Sequence, residues 1–180
     1  MNNSGAIYVE HPDGQAVADE LGRQLRARGF ARADQPPGAL SGRIMIPEKR
    51  LRHFFVLPAA SGWVTVWEDP RYFAERAMAR QIAAALGARA VWIEVGGNGV
   101  SWAHGIYAGP ETVEERYEEV ETTFYGEYGV INIAFDLEHT PDELIAALGL
   151  PYDDYHYEAA LLGDLPADAG EPIHLAFKKC

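Results

Sequence analysis

A single cysteine, Cys180, occurs in the 180 residues, and that scarcity removes two kinds of chemistry. A disulfide within these residues needs a second thiol, and zinc sites of the Cys-x-x-Cys type need at least two. A cysteine-poor chain suits a reducing compartment, so a cytoplasmic location is expected. Long apolar runs are missing as well: no stretch approaches about 18 apolar residues, so no membrane-spanning helix is expected. Met1 to Gly5 show neither the basic start nor the apolar core of a secretion signal, which points the same way.

Motifs that would name a reaction are equally scarce. The phosphate-binding pattern Gly-x-x-x-x-Gly-Lys is absent, as are the dinucleotide fingerprint between strand and helix and the Gly-x-Ser-x-Gly of serine hydrolases. None of the six histidines forms a His-x-x-x-His pair, and the densest metal-ligand candidates, Glu138-His139 and Asp153 to His156, read as a residue pair near a helix start and a solvated loop. Cys180 at a chain end lacks the supporting shell that a nucleophile needs. Gly96 to Gly99 resembles a phosphate cradle but lies between two alternating runs with no nearby lysine, which is the signature of a hairpin turn. No cofactor, metal or catalytic residue is expected.

What is present is an ordinary globular composition, 48% hydrophobic and 23% charged, of a length that buries a full core in a single domain. The net charge is −12, and it is unevenly placed. Residues 1–109 carry 12 basic and 10 acidic groups, whereas residues 110–180 carry 3 basic and 17 acidic groups. Such a molecule is repelled by nucleic acid and by anionic lipid and attracts basic partners. A basic protein partner is therefore expected, and neither nucleic acid nor membrane.

Periodicity gives the elements. Ala6 to Glu10 reads as a strand, and Val17, Leu21 and Leu25 recur at helical spacing between Asp13, a cap, and Gly29. A loop is expected over residues 31–42, and extended segments over Arg43 to Ile46 and His53 to Leu57. Trp63 to Trp67 alternates cleanly. Asp69-Pro70 predicts the start of a second helix that ends at Gly87. Arg89 to Val95 and Val100 to Tyr107 read as a hairpin. Residues 110–121 fit both helical and strand templates, and the short gap after Tyr107 favours a strand. Val130 to Phe135 predicts another strand, and Thr140-Pro141-Asp142-Glu143 a capping box whose helix ends at Gly149. Residues 152–163 read as loop or short helix, and Ile173 to Phe177 as a closing strand.

The order β-α-β-β-α-β predicts an α+β fold with a ferredoxin-like core: a mainly antiparallel sheet with helices on one face, extended by a C-terminal α/β segment. Two surfaces are candidate sites. Glu111, Glu114, Glu115, Glu118 and Glu119, with Asp153 and Asp154, would form an acidic partner-binding patch. Trp63, Trp67 and Trp92, placed opposite Val64, Val66, Val91 and Ile93, would form an aromatic platform unless the C-terminal third covers them. The leading expectation is a non-catalytic interaction module, inhibitor-like or immunity-like. The alternative is a small-molecule binder or enzyme with a pocket between the sheet and the C-terminal third.

Overall fold

The computed structural model describes residues 4–36, 51–69, 75–96, 101–119, 122–125, 130–133, 140–152 and 157–180. In chain order the elements are β1 (Ser4–Glu10), α1 (Gly14–Ala27), β2 (Phe30–Arg32), β3 (Leu51–Val56), β4 (Trp63–Glu68), α2 (Arg76–Leu86), β5 (Arg89–Gly96), β6 (Ser101–Ala108) and β7 (Glu111–Glu119). There follow β8 (Thr122–Tyr125), β9 (Val130–Ile133), α3 (Pro141–Leu148), α4 (Tyr157–Leu162) and β10 (Ile173–Lys179). The fold is α+β, built on an eight-stranded sheet in the order β2-β10-β3-β4-β1-β5-β6-β7, with β8 and β9 paired separately. Every pairing in the eight-stranded sheet is antiparallel.

Local chemistry sets the helix ends. The Asp13 side chain accepts from the Gln15 amide at 2.8 Å, satisfying a donor the first turn of α1 leaves open. Thr140 and Glu143 cap α3 reciprocally: Thr140 Oγ1 accepts from the Glu143 amide at 3.3 Å and Glu143 Oε2 from the Thr140 amide at 3.1 Å. Gly87 and Gly149 end α2 and α3 with φ of 61° and 63°, where a side chain would be strained. The expected start of α2 is corrected. Asp69 is buried and its amide donates to the His53 carbonyl at 2.9 Å, so β3 claims it as a continuation of β4. The described helix begins at Arg76, with Glu75 at its cap; residues 70–74 lie outside the described residues.

Two hydrophobic layers sandwich the sheet, and this corrects the expectation of helices on one face. Ile7, Val9, Phe54, Val56, Val64, Val66 and Trp92 pack with Leu21 and Leu25 of α1 and Met78 and Ile82 of α2. Ala6, Tyr8, Phe55, Trp63, Trp67, Val91 and Ile93 pack on the other face with Tyr157 of α4, and Leu144, Ile145 and Leu148 of α3 lie against them. The 8-strand sheet thus buries both faces. One end of it also differs from expectation: a short β2 stands where a loop was predicted, and β10 inserts between β2 and β3. The predicted strand over Arg43 to Ile46 and the Gly97 to Gly99 turn lie outside the described residues. Among the described residues no helix is long and apolar enough to cross a membrane.

Candidate interaction surface at the sheet edge

The Gly109-Pro110 turn reverses the chain so that β7 returns along β6, from Ala108 opposite Glu111 to Ser101 opposite Glu119. No described strand pairs with the outer side of β7, so every second residue turns its backbone N–H and C=O outward. The register is interrupted once. Tyr107 pairs with Thr112 and Ile106 with Glu114, which leaves Val113 as the extra residue of a bulge. Beyond it the ladder runs evenly from Glu114 to Glu119. Alternation then puts Glu114 and Arg116 on the α3/α4 face with Ile106 and His104, and Glu115 and Tyr117 on the α1/α2 face with Gly105 and Ala103.

The acidic candidates therefore line both flanks of one exposed edge. Glu115 Oε1 accepts from the Tyr107 hydroxyl at 3.0 Å and Glu115 Oε2 lies 3.3 Å from Arg76 of α2. Burial, then the hydrogen bond to Glu115 and its charge, push the Tyr107 hydroxyl well above the usual phenol range. The Tyr107 ring lies over Gly105, where any Cβ would meet ring carbon Cζ at 2.7 Å; glycine is what lets the tyrosine reach the edge. On the other flank Glu114 Oε1 sits 2.9 Å from His104 Nε2, and the His104 ring stacks on Trp102 with centroids 4.9 Å apart. Both carboxylates stay reachable, at 50% exposed for Glu114 and 36% for Glu115. Glu111 is exposed at the start of the strand. Between and beyond the acids stand Val113 and Tyr117, 62% and 64% exposed.

Glu118 and Glu119 occupy register positions opposite Trp102 and Ser101. Asp153 and Asp154 lie outside the described residues. The aromatic platform is corrected. Trp63 and Trp67 do share a face, but Ile7 pairs with both Val66 and Trp92 across neighbouring ladders, and directly opposed residues project to one side. Trp92 thus joins Val64 and Val66 against α1 and α2. None of the three is open: Trp63, Trp67 and Trp92 are 5%, 1% and 7% exposed, and Tyr152 meets Trp67 edge-on at 6.2 Å. Covering by the C-terminal third makes Trp63 and Trp67 core.

Sequence reading missed three polar clusters. His104 and Tyr107, which anchor the acidic edge, could have been found by drawing the β6–β7 register outward from Gly109-Pro110. Arg52 clasps Glu68 with two hydrogen bonds of 2.6 and 2.7 Å inside the α1/α2 layer, and reaches Glu75 at 3.0 Å. His53 Nδ1 lies 3.1 Å from His174 Nε2 on the opposite face; these contacts join residues too distant in sequence for any spacing rule. A groove of about 480 Å³ also runs between α1 and α2, lined by Arg23, Ala27, Arg28, Gln81, Ala84 and Ala85. Its arginines are already engaged, Arg23 by Glu20 and Arg28 by Glu75 and Gln81. Among the described residues no group of three or more His, Cys, Asp or Glu is placed to hold a metal ion. No family model, curated protein or solved structure matches this chain.

Proposed function

We propose that this chain is a non-catalytic, cytoplasmic interaction module, inhibitor-like or immunity-like in role, which presents the β7 edge to a basic protein partner. One observation carries the reading. The outermost strand of the sheet holds exposed Glu111, Glu114 and Glu115 together with exposed Val113 and Tyr117. Charge alone on an edge strand is ordinary protection against aggregation. Large apolar side chains on the same edge work against that protection, since they favour contact, and the mixture suits a surface that accepts one class of partner and repels others. The inner strand order β3-β4-β1-β5, with α1 and α2 as crossovers, supports reading this scaffold as a ferredoxin-like core extended on both sides.

The test begins with proteins captured from the native host at low and high salt, followed by kinetics with the purified, identified partner. Glu111→Lys should slow association several-fold at low ionic strength and leave dissociation nearly unchanged, because rim charges act chiefly on encounter. An association rate indifferent to Glu111→Lys and to salt, or turnover of a substrate by the purified chain, overturns the reading. A small-molecule site beneath α3 and α4 is the second reading. It is favoured by the His53–His174 pair, which lies under that layer with Phe55 and Tyr157 beside it.

A further inference from the structure

We propose that Arg76 of α2 is a built-in competitor for the acidic edge: its guanidinium holds Glu115 until a basic side chain of the partner takes its place. The inference rests on the acidic-edge reading above and adds the exchange that precedes docking. Three observations support it: the weakness of the contact, the position of the arginine and the second hold on Glu115.

The contact is loose. Arg76 approaches Glu115 Oε2 with one nitrogen at 3.3 Å, and the two side chains are 58% and 36% exposed. Elsewhere Arg52 clasps Glu68 with two hydrogen bonds of 2.6 and 2.7 Å, and Arg23 clasps Glu20 with two of 2.7 Å. A long, single, solvated ion pair contributes little, so another cation exchanges with it readily. Helix stability does not explain the arginine either. Arg76 is the first residue of α2, whose first turn carries no acid, and a cation there opposes the helix macrodipole. Arg80 repeats the charge four residues on, where like charges on one helix face repel. Against burial and the Glu115 contact, which raise the Tyr107 pKa, both arginine charges lower it; both therefore stand beside the edge.

The second hold lets the exchange occur without loss of order. Glu115 Oε1 accepts from the Tyr107 hydroxyl at 3.0 Å, and that buried, neutral phenol remains a donor whether or not Arg76 is in place. Displacing Arg76 frees Oε2 and leaves the carboxylate positioned. The exchange also selects among ligands. One with a single cation replaces one N–H···O contact by another and gains nothing, whereas a partner that also meets exposed Glu111 and Glu114 gains those contacts in the same event. The partner's apparent affinity is reduced in proportion to the fraction of molecules whose Glu115 is open to it.

The probe is a capped, fluorescently labelled oligolysine peptide of about ten residues, long enough to span one strand. Its binding is measured by anisotropy at low salt to the wild-type protein, Arg76→Gln, Glu115→Gln and the two combined, with Arg80→Gln as the charge control; urea unfolding checks that each variant is folded. Arg76→Gln should tighten binding about two- to fivefold, the range that a surface ion pair supplies, and Glu115→Gln should weaken it. In the Glu115→Gln background the gain from Arg76→Gln should largely vanish, because no carboxylate remains to compete for. Arg80→Gln should give a smaller gain that survives in that background. A gain of equal size in both backgrounds means that Arg76 acts only through its field. That result, an Arg76→Gln variant no tighter than wild type, or a Glu115→Gln variant as tight as wild type overturns the inference and leaves the acidic-edge reading standing. If neither wild type nor Arg76→Gln binds the peptide at low salt, both fall.

Discussion

Replacing Arg52 with methionine should cost about 3–5 kcal/mol, because it leaves the Glu68 carboxylate buried without its guanidinium. The magnitude follows from the geometry. Both side chains are almost wholly enclosed, 1% exposed for Arg52 and 0% for Glu68, and the contact is bidentate. Burial works against the Arg52 charge, yet its hydrogen bonds to Glu68 and the nearby Glu68 and Glu75 carboxylates outweigh that and raise its pKa above the ordinary arginine value. The guanidinium also lies over the Phe54 and Phe30 rings, at 5.2 and 5.8 Å from their centroids, contacts that methionine keeps only in part. In Arg52→Met, Glu68 can escape its buried charge only by taking up a proton, so its folded pKa rises above the unfolded value. A carboxyl raised in this way makes the folded state bind more protons, so the variant's stability falls as pH rises. Its deficit relative to wild type should therefore shrink, by up to about 1.4 kcal/mol per pH unit, as pH is lowered from about 7.5 towards 5. Urea unfolding followed by tryptophan fluorescence measures both quantities. Arg52→Met with Glu68→Leu should recover most of the loss, since no buried charge then remains at that point. A single variant within about 1 kcal/mol of wild type, a deficit indifferent to pH, or a double variant no better than the single one would refute the reasoning.

Two further outcomes test other parts of the structure. The His174 pKa is lowered to about 4 by burial, then by the His53 and Arg32 charges; a histidine held neutral in the fold costs stability as pH falls from the unfolded value near 6.5 towards 4. The ring is partly solvent-exposed, so screening limits that loss to about 1–2 kcal/mol, and the pH dependence of urea unfolding should flatten in His174→Gln; an unchanged profile counts against the pair. Gly105→Ala should destabilise by about 1–3 kcal/mol through collision with the Tyr107 ring, and in a Tyr107→Leu background the extra cost should largely vanish; equal costs in both backgrounds would mean that the close approach is not the cause.

Elements governed by local rules were legible in the sequence. Thr140 to Glu143 and the glycines at 87 and 149 announce caps by chemistry that acts within a few residues. Residues 110–121 fitted both helical and strand templates, and the short gap after Tyr107 favoured the strand that forms over Glu111–Glu119. What failed was non-local. The Asp69-Pro70 signal is local, whereas the described helix begins at Arg76 with Glu75 at its cap and Asp69 continues the ladder with β3; residues 70–74, which an Asp69 cap would serve, lie outside the described residues. Trp92 alternates with Val91 and Ile93 just as read, yet its face is fixed by pairing with Ile7 of β1. That strand lies more than eighty residues earlier in the chain, and a one-residue change of register inverts every side chain. The acidic run was visible as composition. Its division between the two flanks of an edge was not, because it depends on the bulge at Val113.

That division is what separates this surface from a merely solvated charge run. On a helix, Glu111 to Glu121 would have spread as freely rotating carboxylates around a cylinder, and such side chains lose entropy when a partner fixes them. On β7, Glu115 is held by Tyr107 and Arg76, and Glu114 by His104, so part of that ordering is already complete before any partner arrives. Tyr107 reaches its carboxylate across a glycine, and His104 leans on a tryptophan; both supports come from β6, the strand that carries the edge. The opposite end of the sheet bears Arg32, Lys178 and Lys179, so the negative edge faces away from the basic end of the same sheet. A charge separation along the sheet would orient the molecule in the field of the basic partner proposed above, with β7 turned towards it. Encounter and docking of the proposed partner would then depend on the same strand, where the pinned acids stand with exposed Val113 and Tyr117.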